Sequence, residues 1–180
     1  MNPAENVVPQ ESGASKPLFF PVSTRKLLVM STVTFGLYEI FWFYKNWNLV
    51  KERTGENIMP FWRGVFGVIF CHACFREIHE AAENRGLSKL PPIGWLTLAW
   101  ILLTISWRLP DPYWLITWLS PLVLVRMQKL VNELNSTVAP SHNPNNHYSR
   151  WNIAGIAIGV ILLVLTIIGL FLPDDPSELQ

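Results

Sequence analysis

The run 153–172, IAGIAIGVILLVLTIIGLFL, holds no charged residue. As a helix rising about 1.5 Å per residue, it matches a hydrocarbon core about 30 Å thick. Arg150 and Trp151 precede it, and Pro173, Asp174 and Asp175 follow it, as interface residues flank a membrane span. The run points to a membrane-spanning helix. It carries no information about activity.

Composition agrees. Charged residues make up 15% of the chain and hydrophobic residues 50%, with a mean hydropathy of +0.25. A soluble domain carries about 25% charged residues. Nine tryptophans suit a chain that meets two membrane–water interfaces. A net charge of +1 argues against a nucleic-acid partner, which needs a strong basic patch. The two cysteines, Cys71 and Cys74, are too few and too close for a disulfide framework. Residues 1–15 are polar and hold Glu5 and Glu11, so no cleaved leader is expected there.

Five apolar segments organise the rest: 27–44, 61–75, 93–107, 113–125 and 153–172. Segments 93–107 and 113–125 are joined by a tight Pro-containing link, which predicts a helical hairpin. Segment 61–75 is short, at roughly 22 Å as a helix, and carries Arg63. Polar helical stretches extend three segments: 45–53, 76–85 before a capping Gly86, and 126–135. In the last, Met127, Leu130, Val131 and Leu134 share one helical face, suited to lipid or a partner helix.

The fold class expected is an all-α integral membrane protein with four transmembrane helices, 27–44, 93–107, 113–125 and 153–172. Segment 61–75 is then a short re-entrant or interfacial helix. The alternative is five transmembrane helices. The domain division is a disordered tail over 1–25, a helical membrane domain over 26–172 and a C-terminal tail over 173–180. Counting Lys and Arg in the short loops puts 76–92 and 126–152 in the cytoplasm and the C-terminal tail outside, under either arrangement. The echo between Asn48-Leu-Val-Lys-Glu52 and Lys129-Leu-Val-Asn-Glu133 favours four spans, because it asks both helices to leave the membrane on one side.

Glu39 lies inside the first segment, where a carboxylate is costly unless protonated, paired or functional. Arg63 and His72 are its candidate partners. Together they form the polar intramembrane candidates for a path for protons or small solutes. Otherwise Glu39 makes one structural pair near the interface. Cys71 and Cys74 with His79 invite a metal reading. A helix separates the cysteines from His72 and His79 and no second CxxC exists, so buried thiols packed against neighbours are expected and no metal or other cofactor. Gly155 and Gly159 form a GxxxG in the last segment, suited to close helix packing. Asn135-Ser-Thr137 fits a glycosylation acceptor but is expected in the cytoplasm, hence unused. No nucleophile elbow, HExxH, phosphate loop or dinucleotide fingerprint is present.

The stretch from Phe19-Phe-Pro-Val-Ser-Thr-Arg-Lys26 through Thr34-Phe-Gly-Leu-Tyr38 to Phe41-Trp-Phe-Tyr-Lys-Asn-Trp47 resembles small bacterial multipass inner-membrane proteins of unknown function. Val131-Asn-Glu-Leu-Asn135 is similar to a second stretch of such proteins. The resemblance covers about a quarter of the chain. It implies a bacterial inner membrane and no activity.

The function expected is a non-enzymatic membrane component acting through helix packing and through contacts with the lipid bilayer, a second copy or a membrane protein partner. The alternative is a small transporter or channel subunit using Glu39, Arg63 and His72. A third reading, an intramembrane enzyme built on His72, Glu77 and His79 with a metal, stands behind both.

Overall fold

The computed structural model describes residues 16–171. The rest of the expected N-terminal tail and the whole C-terminal tail lie outside the described residues. The described residues form an all-α protein, with no strand among them. Seven α-helices occur: α1 Thr24–Val33, α2 Leu37–Thr54, α3 Pro60–Val65, α4 Gly67–Glu83, α5 Ile93–Ile105, α6 Ser120–Val138 and α7 Arg150–Gly169. Two 3₁₀ segments, Ser106–Arg108 and Tyr113–Leu119, lie between α5 and α6.

The single helix expected over 27–44 is two helices, and the reason is local. Ser23 caps α1 by accepting a hydrogen bond from the Lys26 amide. After Val33 the chain turns through Phe35 at φ 52° and Gly36 at φ 84°. Gly36 takes that left-handed conformation without steric cost and its amide donates back to Ser31 O at 2.9 Å. The Thr34 hydroxyl donates to Met30 O and accepts from the Tyr38 amide, so one side chain closes α1 and opens α2.

The chain breaks between successive helices at two further places, by different local geometry. α2 runs away from the hinge at 34–36, α4 from the break at Phe66, and α6 from the 106–119 turn. These three helices are parallel. Gly67 of α4 sits against Phe43 of α2, and farther along Glu77 pairs with Arg53 at 3.6 Å. Ser120 of α6 bonds Glu39, and farther along Gln128 bonds Trp42. The preceding limbs run the other way. Arg63 of α3 stacks on Trp47 while Gly64 abuts Ile40 and Tyr44. Thr97 of α5 meets His72, and Trp100 meets Gly67. The protein is thus three helical hairpins with their tips at one end. The core between them is aromatic: Phe43 meets Trp42, Phe75 and Trp100 with ring centroids 5.0, 6.1 and 4.9 Å away.

Residues 18–22, expected within a disordered tail, are an ordered strap between α2 and α6, with Phe19 and Val22 fully buried. An extended strap has no helix to satisfy its backbone, so side chains do it. Asn135 Oδ1 accepts from the Leu18 and Phe19 amides, and its Nδ2 donates to Phe19 O. Asn46 accepts from the Phe20 amide, Gln128 donates to Phe20 O, and Asn132 donates to Val22 O. This explains why the acceptor-like Asn135 is completely buried. The face of Met127, Leu130, Val131 and Leu134 is also buried, so it packs inside the chain and not on an outside partner.

The two ends of the protein differ in chemistry. Exposed apolar side chains gather toward the tips, among them Leu37, Phe66, Ile69, Leu102 and Leu122. Of the fourteen Lys and Arg, Arg108 lies at a tip and Arg63 one turn before the break at Phe66. The helix α7, expected over 153–172, begins at Arg150, with the Ser149 hydroxyl as its cap. It is the one described helix long and apolar enough to cross a membrane, with mean hydropathy 2.5. Lys26 anchors the chain before it, donating to Asn145 Oδ1 and His147 O at 2.8 and 2.7 Å. α7 then follows α1. Gly155 faces Met30, and a Cβ on Gly159 would collide with the Val33 carbonyl. Beyond Gly159, which is its one buried residue, α7 continues past the first tip by about 15 Å.

Gly159→Ala is expected to lower stability by about 1–3 kcal/mol, because backbone has to move, whereas Gly155→Ala is expected to be nearly neutral. Thermal unfolding of the two variants in detergent checks the asymmetry. Asn135→Ala leaves the buried Phe19 amide and carbonyl and the part-buried Leu18 amide of the strap without partners. It is expected to cost about 2–3 kcal/mol, against less than about 0.5 for Asn48→Ala, whose bond to Glu52 is exposed. Denaturant unfolding compares them.

Candidate functional site

Glu39 stands on the first turn of α2, directly below the hinge, and is 3% exposed. Both carboxyl oxygens are engaged. Trp100 Nε1 of α5 donates to Oε2, and Ser120 Oγ of α6 bonds Oε1, each at 2.7 Å. The indole can only donate, so Oε2 is the acceptor of that pair. Glu39 thus ties the first hairpin to both limbs of the third. A carboxyl group removed from water needs such partners, and here two elements distant in sequence supply them.

A cavity of about 290 Å³ opens above Glu39, between the three tips. Four tryptophans, Trp100, Trp107, Trp114 and Trp118, line it. Polar groups interrupt that apolar wall. Two of its lining residues carry a buried polar atom without a partner, Thr104 Oγ1 and Trp118 Nε1, and so does Ser31 beside it, at Oγ. Unpaired buried polar atoms are uncommon, and two on residues lining this cavity with a third beside it distinguish it from ordinary packing.

The candidate trio of Glu39, Arg63 and His72 does not come together. Arg63 lies over the rings of Trp47 and Phe70, 4.3 and 5.4 Å from their centroids. His72 is exposed and its Nδ1 bonds Thr97 Oγ1 at 3.2 Å. The ion pairs among the described residues are Arg53–Glu77 and Arg76–Glu80. Cys71 and Cys74 are free thiols on the buried face of α4, with Cys71 Sγ against Val68 O. His79 lies half-buried farther along the same helix. Among the described residues no three His, Cys, Asp or Glu side chains converge as metal ligands.

Trp100 and Ser120 lie 61 and 81 residues from Glu39 and carry no local motif, so sequence reasoning missed them. The amides Asn46, Gln128, Asn132 and Asn135 left a better signal. Each is a polar residue beside or within an apolar helical face, a position that demands a partner.

Set against protein-family models, curated proteins and solved structures, the chain matches none.

Glu39→Ala removes the acceptor of Trp100 and the partner of Ser120, and is expected to cost about 2–4 kcal/mol. Glu39→Gln keeps the shape and one acceptor, and is expected to cost less than about 1 kcal/mol. With Arg63→Gln it is expected to be additive within about 0.5 kcal/mol, since the two groups share no partner. Unfolding of both single variants and the double variant checks this. Recovery of stability in the double variant would reveal a pair.

Proposed function

We propose that the chain is a non-enzymatic, multi-pass component of a bacterial inner membrane, working through helix packing and through lipid or partner contacts. The observation that carries this reading is the division of the three hairpins. Their tips are apolar, and apart from Arg108 and from Arg63, one turn before the Phe66 break, the Lys and Arg residues lie toward the other end. Under the positive-inside rule that basic end faces the cytoplasm.

The arrangement refines the count of crossings. α1–α2 and α3–α4 are re-entrant hairpins that enter from the cytoplasmic side and return to it. Their first tip lies beside the midpoint of α7, about half a bilayer deep. α5 with its 3₁₀ extension is about 25 Å long and crosses outward. The 3₁₀ segment with α6 crosses back, and α7 crosses outward again. Exposed Trp107 and Tyr113 beside Arg108 and Asp111 suit the outer interface, and exposed Trp95 and Trp151 suit the inner one. Three crossings and two re-entrant hairpins thus replace the four spans and one re-entrant segment expected from sequence. The parallel course of α2 and α6 supports the common exit that the 48–52 and 129–133 echo asks for. The resemblance of 19–47 to small bacterial multipass proteins supports the compartment.

A second reading, a component that takes up a small molecule, draws support from the cavity at Glu39. It does not use Arg63 and His72, which lie on other partners.

The test is sidedness. In a background with Cys71→Ala and Cys74→Ala, single cysteines at Lys16, Asn48, Ser88 and Asn143 are expected to react with an impermeant maleimide from the cytoplasmic side only. A cysteine at Leu109 is expected to react from outside, and a C-terminal reporter active only in the cytoplasm is expected to stay silent. Labelling of Lys16 from outside would return 27–44 to a span and overturn the reading.

A further inference from the structure

We propose that the cavity between the hairpin tips binds a lipophilic primary amine, with its ammonium group at Glu39 and its apolar body among the tryptophans. Two neighbouring spaces make up the site. The larger is the cavity of about 290 Å³. The smaller is a recess of about 20 Å³, and the two share Phe35, Gly36, Glu39, Thr117, Trp118 and Ser120 as walls. A recess of that size holds one group as large as a water molecule, and an ammonium is such a group.

The chemistry of the recess is that of an ammonium receptor. The Glu39 oxygens each take one donor from the protein, and a carboxylate has about four acceptor positions in all. Ser31, 1% exposed, is one of the residues around the recess, and its Oγ has no partner of its own. An ammonium brings three donors and no acceptor, which matches a carboxylate and hydroxyl oxygens. Glu39 disfavours an anion. A quaternary ammonium is too bulky for the recess.

The larger cavity supplies the rest of the selectivity. Trp100, Trp107, Trp114 and Trp118 offer apolar area for a hydrocarbon or aryl body, and their faces attract positive charge. Leu37, Val65 and Trp107, which line it, are exposed on the apolar side of the protein, so a molecule dissolved in lipid reaches it directly. Arg108 over Trp107 and Asp111 bonded to Trp114 stand beyond the cavity with opposite charges.

The experiment uses the full chain in phosphatidylglycerol nanodiscs, with tryptophan fluorescence as the readout. The probes are 2-phenylethylammonium, its neutral analogue 2-phenylethanol, and benzyltrimethylammonium. Saturable binding of 2-phenylethylammonium is expected, at least tenfold tighter than that of either other probe. Glu39→Gln is expected to weaken it at least tenfold, and Ser31→Ala about threefold. Absence of saturable binding, equal binding of the alcohol or the quaternary amine, or unchanged binding by folded Glu39→Gln would overturn the proposal. If Glu39→Gln does not fold, the discrimination among probes by the unsubstituted protein, together with Ser31→Ala, decides it. Short-chain phosphatidylethanolamine and phosphatidylcholine identify the source. Displacement by the first alone assigns the site to a lipid headgroup, and displacement by neither assigns it to a free amine. Equal displacement by both contradicts recognition of a primary ammonium. The readout does not depend on sidedness, so it succeeds or fails separately from the proposed topology.

Discussion

Four side-chain amides, three of them buried, hold the strap at 18–22, and the course of the chain depends on them. An extended segment inside a helical protein carries donors and acceptors that no neighbouring strand can satisfy. Asn46, Gln128, Asn132 and Asn135 satisfy them, and in doing so fasten the strap to α2 and α6. Once the strap lies there, α1 can only leave toward the tips and α2 can only come back. Arg53 closes the loop by donating to Leu18 O at 3.1 Å. The left-handed turn at Phe35 and Gly36 permits the reversal, and the strap requires it.

The hairpins in turn explain the site. Three reversing tips do not pack as closely as continuous helices, because each ends its helix early and leaves side chains converging from three directions. The space they leave is the cavity above Glu39. The carboxyl group is held at its floor by donors from the third hairpin, so the interaction that joins the hairpins also presents an acceptor to the cavity. Stability and a capacity for binding come from the same residue. α7 contributes little to this core, and its single close approach is at Gly159.

What the sequence made legible was what local pattern controls. The run that became α7 is evident from length and hydropathy, and its start at Arg150 follows the Ser149 cap. Gly86, read as a helix stop, adopts φ 74° beyond α4. The break at 34–36 has a local signal, an isolated glycine after Thr34-Phe35 inside an apolar run. Apolar length outweighed it, because a run of this composition reads the same whether it crosses or doubles back. The amphipathic face of α6 was legible as a face, but not as core, since the strap and the other hairpins that cover it come from distant parts of the sequence. The partners of Glu39 were illegible for that reason too. Arg63 was nearer in sequence and opposite in charge, yet it rests on aromatic rings.

The central claim is that the first apolar segment doubles back. The most direct measurement is the distance between spin labels at Lys16 and Thr54, both exposed, in the full chain in nanodiscs by double electron–electron resonance. The hairpin brings the ends of this segment together, and a distance below about 20 Å is expected. A distance of about 30 Å or more, the length of a helix that crosses the bilayer, would contradict it.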